Sequence, residues 1–328
     1  MDDIYEKALY NGYGLRLYNA SRTRRGLVCK TDKGYMSLRK VQNDGKTIIF
    51  ENSIKKRLYD NGFTGTDLYY NSVDGKPYYV IGDNTFVLSD FVETSDIDEE
   101  DPDTIKKVSA AMAVMHKLSK GVEADGNVSL GKLPKTWQKR KAELKRIKKR
   151  INSVSNYSPV DIIIIKNYEY FIERTERAQE FLNSTAYSLI AKEAAQARSV
   201  CHNNFKGDNV RFKAGGESLY ITGFEKSSYD CRAADIAAYI RRCMKSEKCS
   251  AETVESIITA YNGESTLSGD EIKVIGAMVL FPQKFYKICS ESFNKRRVCE
   301  SDAVVEKLSR CIALSEKEER ILEALGMV

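Results

Sequence analysis

Histidine, tryptophan and proline are scarce in this chain of 328 residues, which has two histidines, one tryptophan and five prolines. Two histidines exclude a histidine-rich metal centre, and the eight cysteines contain no C-x-x-C pair with the spacing of a zinc site. The longest apolar run, Ile162–Ile165, is far shorter than the roughly 20 residues of a membrane-spanning helix. These absences favour a folded chain without a structural metal or a membrane anchor.

The remaining composition is that of an ordinary globular protein. The chain is 42% hydrophobic and 30% charged, and its net charge of +6 permits an acidic partner without requiring one. The first residues are acidic and amphipathic and do not resemble a signal peptide. We therefore expect synthesis and folding in the cytoplasm, where the cysteines act as small apolar residues rather than as disulfide partners.

Residues 1–95 have the pattern of a small antiparallel sheet with one helix. Apolar runs flank the turn sequence at residues 31–34 and predict a hairpin. Apolar residues at helical intervals between Thr47 and Phe63 predict a helix that stops at Asn61-Gly62. Two more strands are predicted on either side of residues 82–84. This segment is predicted to be a β-rich N-terminal lobe.

Residues 96–328 are predicted to be mainly helical. A helix is expected to begin at Asp103 or Thr104 and to end near Gly121, and everything from about Ala251 onward has a helical pattern. The strand-like interruption at residues 200–226 is the feature with chemical information. The fold class predicted from the pattern is α+β, with the boundary between the two parts near residue 95.

The sequence VCHNNFKGDNVRF, at residues 200–212, has the form of a phosphotransfer loop. Enzymes that transfer phosphate need a carboxylate that orients the attacking hydroxyl, an Asn five residues later, and an Asp after a short strand that holds Mg²⁺. Here His202 lies two residues before Asn204, and Asn209 lies five residues after it. Two strands, Val210–Phe212 and Leu219–Glu225, are predicted to follow and to turn at Gly215-Gly216.

The order and spacing of the motifs resemble a known family. KTDKGYMSLRKV, FVLSDFVE, VMHKLSKG, FLNSTAYSLI, VCHNNFKGDNV, YDCRAADIAAYIRR and VLFPQKFYKI follow one another as in the CotS-type spore coat proteins. That resemblance covers nearly the whole chain. It implies the two-lobe protein kinase-like fold of aminoglycoside phosphotransferases and choline kinases, with a small antiparallel β lobe over a larger helical lobe.

The same resemblance implies roles for residues of the loop. The catalytic Asp of the family falls on Asn204, with His202 and Asp235 as supports of the loop. The metal-side Asn falls on Asn209. The metal motif Asp-Phe-Asp reads Gly-Phe-Glu from Gly223, so the first carboxylate of the motif is absent and only Glu225 remains.

The nucleotide side is predicted less directly. The strand lysine of the family falls on Arg39, and Glu51 is the candidate helix partner by position alone. A guanidinium forks its donors where lysine acts as a point charge, so this exchange is not neutral.

These substitutions predict a weakened or lost activity. An Asn is neutral and cannot act as a base, and a positioned general base contributes about 10²–10⁴-fold. Glu225, on a continued strand, would face the same side as Gly223 but about 6.6 Å further along. Asp208 is the other nearby carboxylate. We therefore expect no cofactor, and neither Asn209 nor Glu225 is expected to form a strong Mg²⁺ site.

Three functions remain open at this point. The first is a non-catalytic spore coat component, made in the mother cell cytoplasm and then built into the coat with other coat proteins. The second is an active ATP- and Mg²⁺-dependent phosphotransferase with rerouted carboxylates. The third is a pseudokinase that senses a nucleotide or metabolite.

The segment of residues 132–151 is strongly basic. It has ten Lys or Arg residues against one Glu between Lys132 and Arg150. Its apolar residues Trp137, Leu144 and Ile151 recur every seven positions and predict one buried helix face. A solvated cationic face is the simpler interpretation, and contact with an acidic partner is the alternative. No membrane contact and no specific nucleic-acid contact are predicted.

Overall fold

The computed structural model describes residues 3–24, 26–294 and 301–328. The chain forms two compact units. Unit 1 comprises Met1–Glu99, Ala110–Val128 and Ala197–Tyr229, and unit 2 comprises Glu100–Ser109, Ser129–Gln196 and Asp230–Val328. The first segment of unit 1 ends close to the predicted boundary at residue 95. The phosphotransfer-like loop, however, belongs to unit 1 together with the N-terminal strands.

Unit 1 contains a five-stranded antiparallel sheet in the order β1-β2-β3-β5-β4. Its strands are β1 (Leu17–Thr23), β2 (Gly26–Thr31), β3 (Gly34–Val41), β4 (Tyr79–Ile81) and β5 (Asn84–Asp90). A short helix, α1 (Asp3–Lys7), continues as a π-helical turn at Ala8–Gly12. The predicted hairpins at residues 31–34 and 82–84 are confirmed.

The helix α2 (Gly45–Asp60) lies between β3 and β4 in the chain. The Asp44 side chain caps it by accepting a hydrogen bond of 2.8 Å from the Thr47 amide. Ile48, Ile54 and Leu58 are buried as their spacing predicts. The helix ends at the predicted place, since Gly62 adopts a left-handed conformation with φ +88° that ends helical geometry.

One face of the sheet carries the apolar core of this unit. Its buried members are Ala8, Leu9, Leu15, Leu27, Cys29, Met36, Leu38, Phe86 and Leu88. The alternation of β3 places Arg39 on the opposite face, where α2 contributes Ile48 to a smaller cluster with Tyr69 and Val87. The sheet thereby fixes the direction in which Arg39 points.

Short strands complete unit 1 around the loop. They are β6 (Thr94–Ser95), β7 (Val200–Cys201), β8 (Val210–Lys213), β9 (Leu219–Ile221) and β10 (Ser228–Tyr229). The hairpin β8–β9 is confirmed, and β7 pairs with β10. The prediction that the second strand continues to Glu225 is wrong. The strand ends at Ile221, Gly223 is left-handed, and Phe224–Lys226 form a 3₁₀ turn.

Helices make up most of the rest of the chain. They are α3 (Pro102–Leu118), α4 (Leu133–Ile151), α5 (Pro159–Asn183), α6 (Tyr187–Gln196), α7 (Ala233–Cys243), α8 (Ala251–Glu264), α9 (Gly269–Leu280), α10 (Gln283–Asn294) and α11 (Ser301–Ala324). The cap of α3 is Asp101 rather than Asp103 or Thr104, because the Thr104 amide donates to Asp101 Oδ2 at 2.7 Å. The predicted helical region after Ala251 is confirmed except at residues 295–300, which lie outside the described residues.

The predicted basic helix is α4. Trp137, Leu144, Ile147 and Ile151 are buried, and Trp137 stacks on Phe281 with ring centroids 4.4 Å apart. Its exposed cations are Lys132, Lys135, Lys139, Lys145, Arg146, Lys149 and Arg150. One side of the helix is therefore core and the other is cationic surface.

Two predictions from composition concern cysteines and membrane segments. The cysteines that the structure describes are all buried and none is in a disulfide, and Cys299 lies outside the described residues. Among the helices of the described residues, none has the length and apolar character needed to cross a membrane.

A buried arginine ties together the helices of unit 2. The Arg174 side chain on α5 is 1% exposed and pairs with Glu318 on α11 at 2.7 Å. It also donates to the carbonyl oxygens of Leu280 at 2.7 Å and of Ser315 at 2.6 Å. Burial raises the pKa of Glu318 even though Arg174 opposes that change. The ion pair thus offsets part of the cost of burying the carboxylate inside the helical core.

Replacing Arg174 tests this arrangement. We expect Arg174→Met to lower the free energy of unfolding by about 3 kcal/mol or more, because it leaves a buried carboxylate and two carbonyls without their donor. Urea unfolding followed by circular dichroism measures the loss. The matched control is Arg177→Met on the same helix. Arg177 is 48% exposed and pairs with Glu319 at the surface, so its loss should cost about 1 kcal/mol or less. Equal losses in the two variants would contradict the interpretation.

Candidate functional site

His202 forms the rigid centre of the loop. It is fully buried, and its Nδ1 atom accepts a hydrogen bond of 3.2 Å from the amide of Asn204. Its Nε2 atom therefore carries the proton and donates to the carbonyl of Thr222 at 3.0 Å. The ring also packs edge-on against Phe224, with centroids 4.5 Å apart. Within unit 1, His202 thus links the start of the loop to the segment that follows β9.

Asn204 and Asn209 hold the loop closed. The Asn209 side-chain amide donates to the backbone carbonyl of Asn204 at 2.9 Å, and the Asn209 carbonyl accepts from the Thr222 amide at 2.8 Å. Both asparagines are half-buried. The five-residue spacing seen in the sequence therefore corresponds to a direct contact. None of these hydrogen bonds requires a carboxylate at position 204.

Gly223 leaves a space that Asn209 fills. Gly223 has φ +79°, and a Cβ atom built there would lie 2.5 Å from the Asn209 Cγ and 2.6 Å from its Oδ1. Such distances are far below van der Waals contact. The position predicted to have lost its metal carboxylate is therefore occupied by a neighbouring amide.

Glu225 contacts Asn204, a contact that the sequence did not predict. The expected displacement of about 6.6 Å between Gly223 and Glu225 assumed a continued strand. Residues Phe224–Lys226 instead form a 3₁₀ turn after Gly223, and the Asn204 side-chain amide donates to Glu225 Oε1 at 3.0 Å. One carboxylate therefore contacts the residue predicted to stand in the position of the family's catalytic Asp.

These residues fit a nucleotide-bound Mg²⁺ poorly. The loop offers the carboxylate of Glu225, which already accepts from Asn204, and the amide oxygens of two asparagines. Asp208, the other carboxylate considered, is 79% exposed and pairs with Lys206 at 2.9 Å. Magnesium in phosphotransfer sites is held by one or two carboxylates together with phosphates and water. We derive no reaction step through a metal from this donor set.

Arg39 forms an ion pair with an acidic residue, Asp67, that the sequence did not predict. Its Nη2 atom lies 2.5 Å from Asp67 Oδ2 and donates to the Tyr69 hydroxyl at 2.7 Å. Burial alone would lower the pKa of Arg39, but Tyr69, Asp67 and Glu51 together raise it above its ordinary value. The guanidinium therefore stays charged and is neutralised from within the chain.

Glu51 has a different partner from the one predicted. Lys55, one turn further along α2 and fully buried, places its Nζ 2.7 Å from Glu51 Oε1 and 3.0 Å from Asp67 Oδ1. The Tyr69 hydroxyl donates to Glu51 at 2.7 Å. Burial raises the pKa of Tyr69 well above its ordinary value, which keeps this donor protonated. Arg39 and Glu51 thus share Tyr69 as an intermediary instead of forming the predicted direct pair.

We call Arg39, Glu51, Lys55, Asp67 and Tyr69 the charge cluster. Its two cations and two carboxylates balance, and all five side chains belong to unit 1. The Glu51–Lys55 spacing of four residues on a predicted helix was the available signal for one pair. Nothing local in the sequence marks Asp67, because its partners are 28 and 12 positions away along the chain.

Asp235 is the predicted site residue that lies in unit 2. It is 1% exposed and sits in the first turn of α7. Its role as a support of the loop remains a prediction from the resemblance.

The chain matches the family model described as "Spore coat putative kinase YutH" over residues 6–325. It is similar in structure to an aminoglycoside phosphotransferase from Alicyclobacillus acidocaldarius subsp. acidocaldarius DSM 446. The TM-score is 0.79 at 12% identity, covering 94% of this chain and 91% of that one. It is also similar to the AMP-bound spectinomycin phosphotransferase APH(9)-Ia, with a TM-score of 0.64 at 12% identity and coverages of 94% and 97%.

A microcompartment-associated aminopropanol kinase is a third structure similar to this chain. Its TM-score is 0.61 at 14% identity, and the alignment covers 99% of this chain and 98% of that one. Identities this low establish the fold and not the activity. The predicted α+β, protein kinase-like fold is confirmed.

The contact between Gly223 and Asn209 leads to a test of the loop. We expect Gly223→Ala to destabilise the protein more than Gly215→Ala does. Both glycines have positive φ, +79° and +75°, but only Gly223 has a neighbour where the Cβ would lie. The shared backbone strain should cost about 1–2 kcal/mol in each variant, and the steric clash should add to it only at Gly223. Thermal unfolding of the two variants measures the difference.

A third variant identifies the clashing group. Combining Gly223→Ala with Asn209→Ala should remove the additional loss, apart from the cost of Asn209→Ala alone. If the two mutations are simply additive, the Asn209 side chain does not fill the space above Gly223.

Proposed function

This chain belongs to the spore coat YutH kinase family, and from that membership we propose that it is a kinase-like component of the bacterial spore coat with a degenerate phosphotransfer site. Its role in this proposal is structural, through contacts with other coat proteins. It is made in the mother cell and then built into the coat. The observation that carries the degenerate site is the filled space at Gly223, where the amide of Asn209 takes the room of a metal-binding side chain.

Two further observations support a silent site. Asn204 donates an amide proton to Glu225, so position 204 acts as a hydrogen-bond donor and not as a proton acceptor. Arg39, the cation in the position of the family's strand lysine, is already paired with Asp67. The base, the metal ligand and the phosphate-binding cation are thus each replaced or engaged. The loss of these three groups together explains an inactive site better than the loss of any one of them does.

An active phosphotransferase is the second candidate function, and Glu225 is the observation that favours it. Its carboxylate lies 3.0 Å from the Asn204 amide, so one acidic group remains where the family's base is expected. In this alternative Glu225 orients the acceptor hydroxyl and takes its proton. A pseudokinase that senses a nucleotide would need neither step, only a ligand held near the loop.

Thermal melting separates these functions. We expect no change in melting temperature with ATP alone, with Mg²⁺ alone or with both. A ligand present at 100 times its Kd would add about 2.7 kcal/mol to the free energy of unfolding, a shift that is easily measured. A shift with ATP alone would favour the sensing pseudokinase, and a shift that requires Mg²⁺ would favour the active enzyme. Either result would contradict the proposal.

Restoring the two carboxylates tests whether their loss explains the silence. We expect the double variant with Asn204→Asp and Gly223→Asp to have a higher melting temperature when Mg²⁺ is present. The change at position 223 should be compatible with the fold, because Asp tolerates left-handed backbone better than most residues do. Asn209 must rotate to admit the new side chain. Asn204→Asp alone is the control and should not respond to the metal. A folded double variant that ignores Mg²⁺ would show that these two losses are not what silenced the site.

A further inference from the structure

Two cations of the charge cluster converge on one carboxylate. Arg39 Nη2 lies 2.5 Å from Asp67 Oδ2, and Lys55 Nζ lies 3.0 Å from Asp67 Oδ1. Each oxygen of Asp67 therefore has its own cation. Arg39 comes from β3 and Lys55 from α2, so two separate elements supply the positive charge. This is the arrangement by which proteins bind a small oxyanion, with charged donors on more than one oxygen atom.

The chemistry of the two donors fits a carboxylate or a phosphate equally. A guanidinium presents its N–H groups in a planar fork, and an ammonium acts as a compact point charge, and both are common ligands of phosphate. The cluster is largely buried. The Arg39 side chain is 19% exposed, whereas that of Asp67 is 6% exposed and that of Lys55 is fully buried. Arg39 is therefore the most exposed of the three side chains.

The segment that carries Asp67 is held in place on both sides. Thr66 bridges to Ile221 of β9, and the Ile221 amide donates to the Gly65 carbonyl at 2.7 Å. A Cβ at Gly65 would lie 2.6 Å from the Leu219 carbonyl, so only glycine allows this approach. On the other side, the Tyr69 amide donates to the Asn52 side chain at 3.0 Å. Asp67 is thus presented to the two cations by a fixed backbone.

We propose that Arg39 and Lys55 form an oxyanion site and that Asp67 fills it from within the chain. A tethered carboxylate competes at a high effective concentration, so a free carboxylate or phosphate enters only when Asp67 is removed or displaced. The remaining members complete the site. Glu51 forms an ion pair with Lys55 and accepts a hydrogen bond from the Tyr69 hydroxyl, and it balances the second cation while the anion is bound. The inference rests on contacts within unit 1 and not on the proposed function.

A buried ion-pair cluster without a binding site is the alternative. Both models predict that loss of Asp67 destabilises the protein, because two buried cations are left with one carboxylate. They differ in what restores stability. A site of defined shape recovers with an anion that replaces the missing group, whereas a general excess of positive charge responds only to ionic strength.

The experiment uses the full-length Asp67→Gly variant, which lacks the atoms that make up acetate. Its melting temperature is measured in acetate, inorganic phosphate, pyrophosphate and chloride at equal ionic strength and pH. We expect acetate or phosphate to raise the melting temperature of the variant by roughly 3 °C or more over chloride, as for a ligand present well above its Kd. Wild type should show no such difference. Comparison of the anions tells whether the site prefers a carboxylate, a phosphate or a pyrophosphate.

Two variants serve as controls. Asp67→Asn removes the charge but keeps the volume, so it should be destabilised without recovering in acetate. Asp90→Gly removes another carboxylate of unit 1, whose partner is the exposed Tyr70 hydroxyl at 2.9 Å, and it should respond to all four salts alike. If Asp67→Gly is unfolded in chloride, the measurement becomes the folded fraction by circular dichroism, which acetate or phosphate should restore.

Several outcomes would overturn the inference. One is an Asp67→Gly variant whose stability is the same in all four salts. Another is equal recovery in Asp90→Gly, which would show a general salt effect. A third is a wild-type response to phosphate as large as that of the variant, which would mean that Asp67 does not fill the site. Because neither nucleotide nor metal is present, any of these results leaves the test of the proposed function unaffected.

Discussion

The contact of Asp67 with Arg39 and Lys55 is the interaction on which the arrangement of unit 1 depends. It joins β3, α2 and the segment between α2 and β4 through one carboxylate. Burial by itself would raise the pKa of Asp67, yet the charges of Lys55 and Arg39 hold it below its ordinary value. The carboxylate therefore stays ionised at neutral pH. Without it, two cations would remain inside the fold beside a single acid.

The hydrogen bonds that hold the loop around His202 in shape require no carboxylate. His202 bonds to Asn204 and Thr222, and Asn209 bonds to the Asn204 carbonyl, and these contacts use amides, carbonyls and a neutral imidazole. The backbone of this loop is thus held by hydrogen bonds between uncharged groups, one of which, Asn209, is the predicted metal-side residue. None of these three hydrogen bonds passes through the side chain at position 204 or 223, so a carboxylate can be absent from both positions while these contacts remain.

Local patterns in the sequence predicted most of the helices and strands correctly. They placed one important residue, Glu225, wrongly. The turn at residues 31–34 and the end of α2 at Asn61-Gly62 follow from the φ preferences of a few adjacent residues. Glu225 was misplaced because Gly223 adopts a left-handed conformation and ends the strand early. The sequence shows that a glycine is present but not that its φ is positive. The contact of Glu225 with Asn204 could not be predicted without that value.

The sequence by itself determined the α+β class and the neutral residue at position 204, since both follow from residue types and their spacing, while the kinase-like fold was implied by the resemblance to a known family. Only the tertiary structure decided which charges neutralise one another. Arg39 and Asp67 are 28 positions apart, and their pairing arises because β3, α2 and the segment through Gly65 meet in space. Side-chain partners over such separations depend on the packing of whole elements. That is why Arg39 contacts Asp67 and Tyr69 instead of the Glu51 that its position in the sequence suggested.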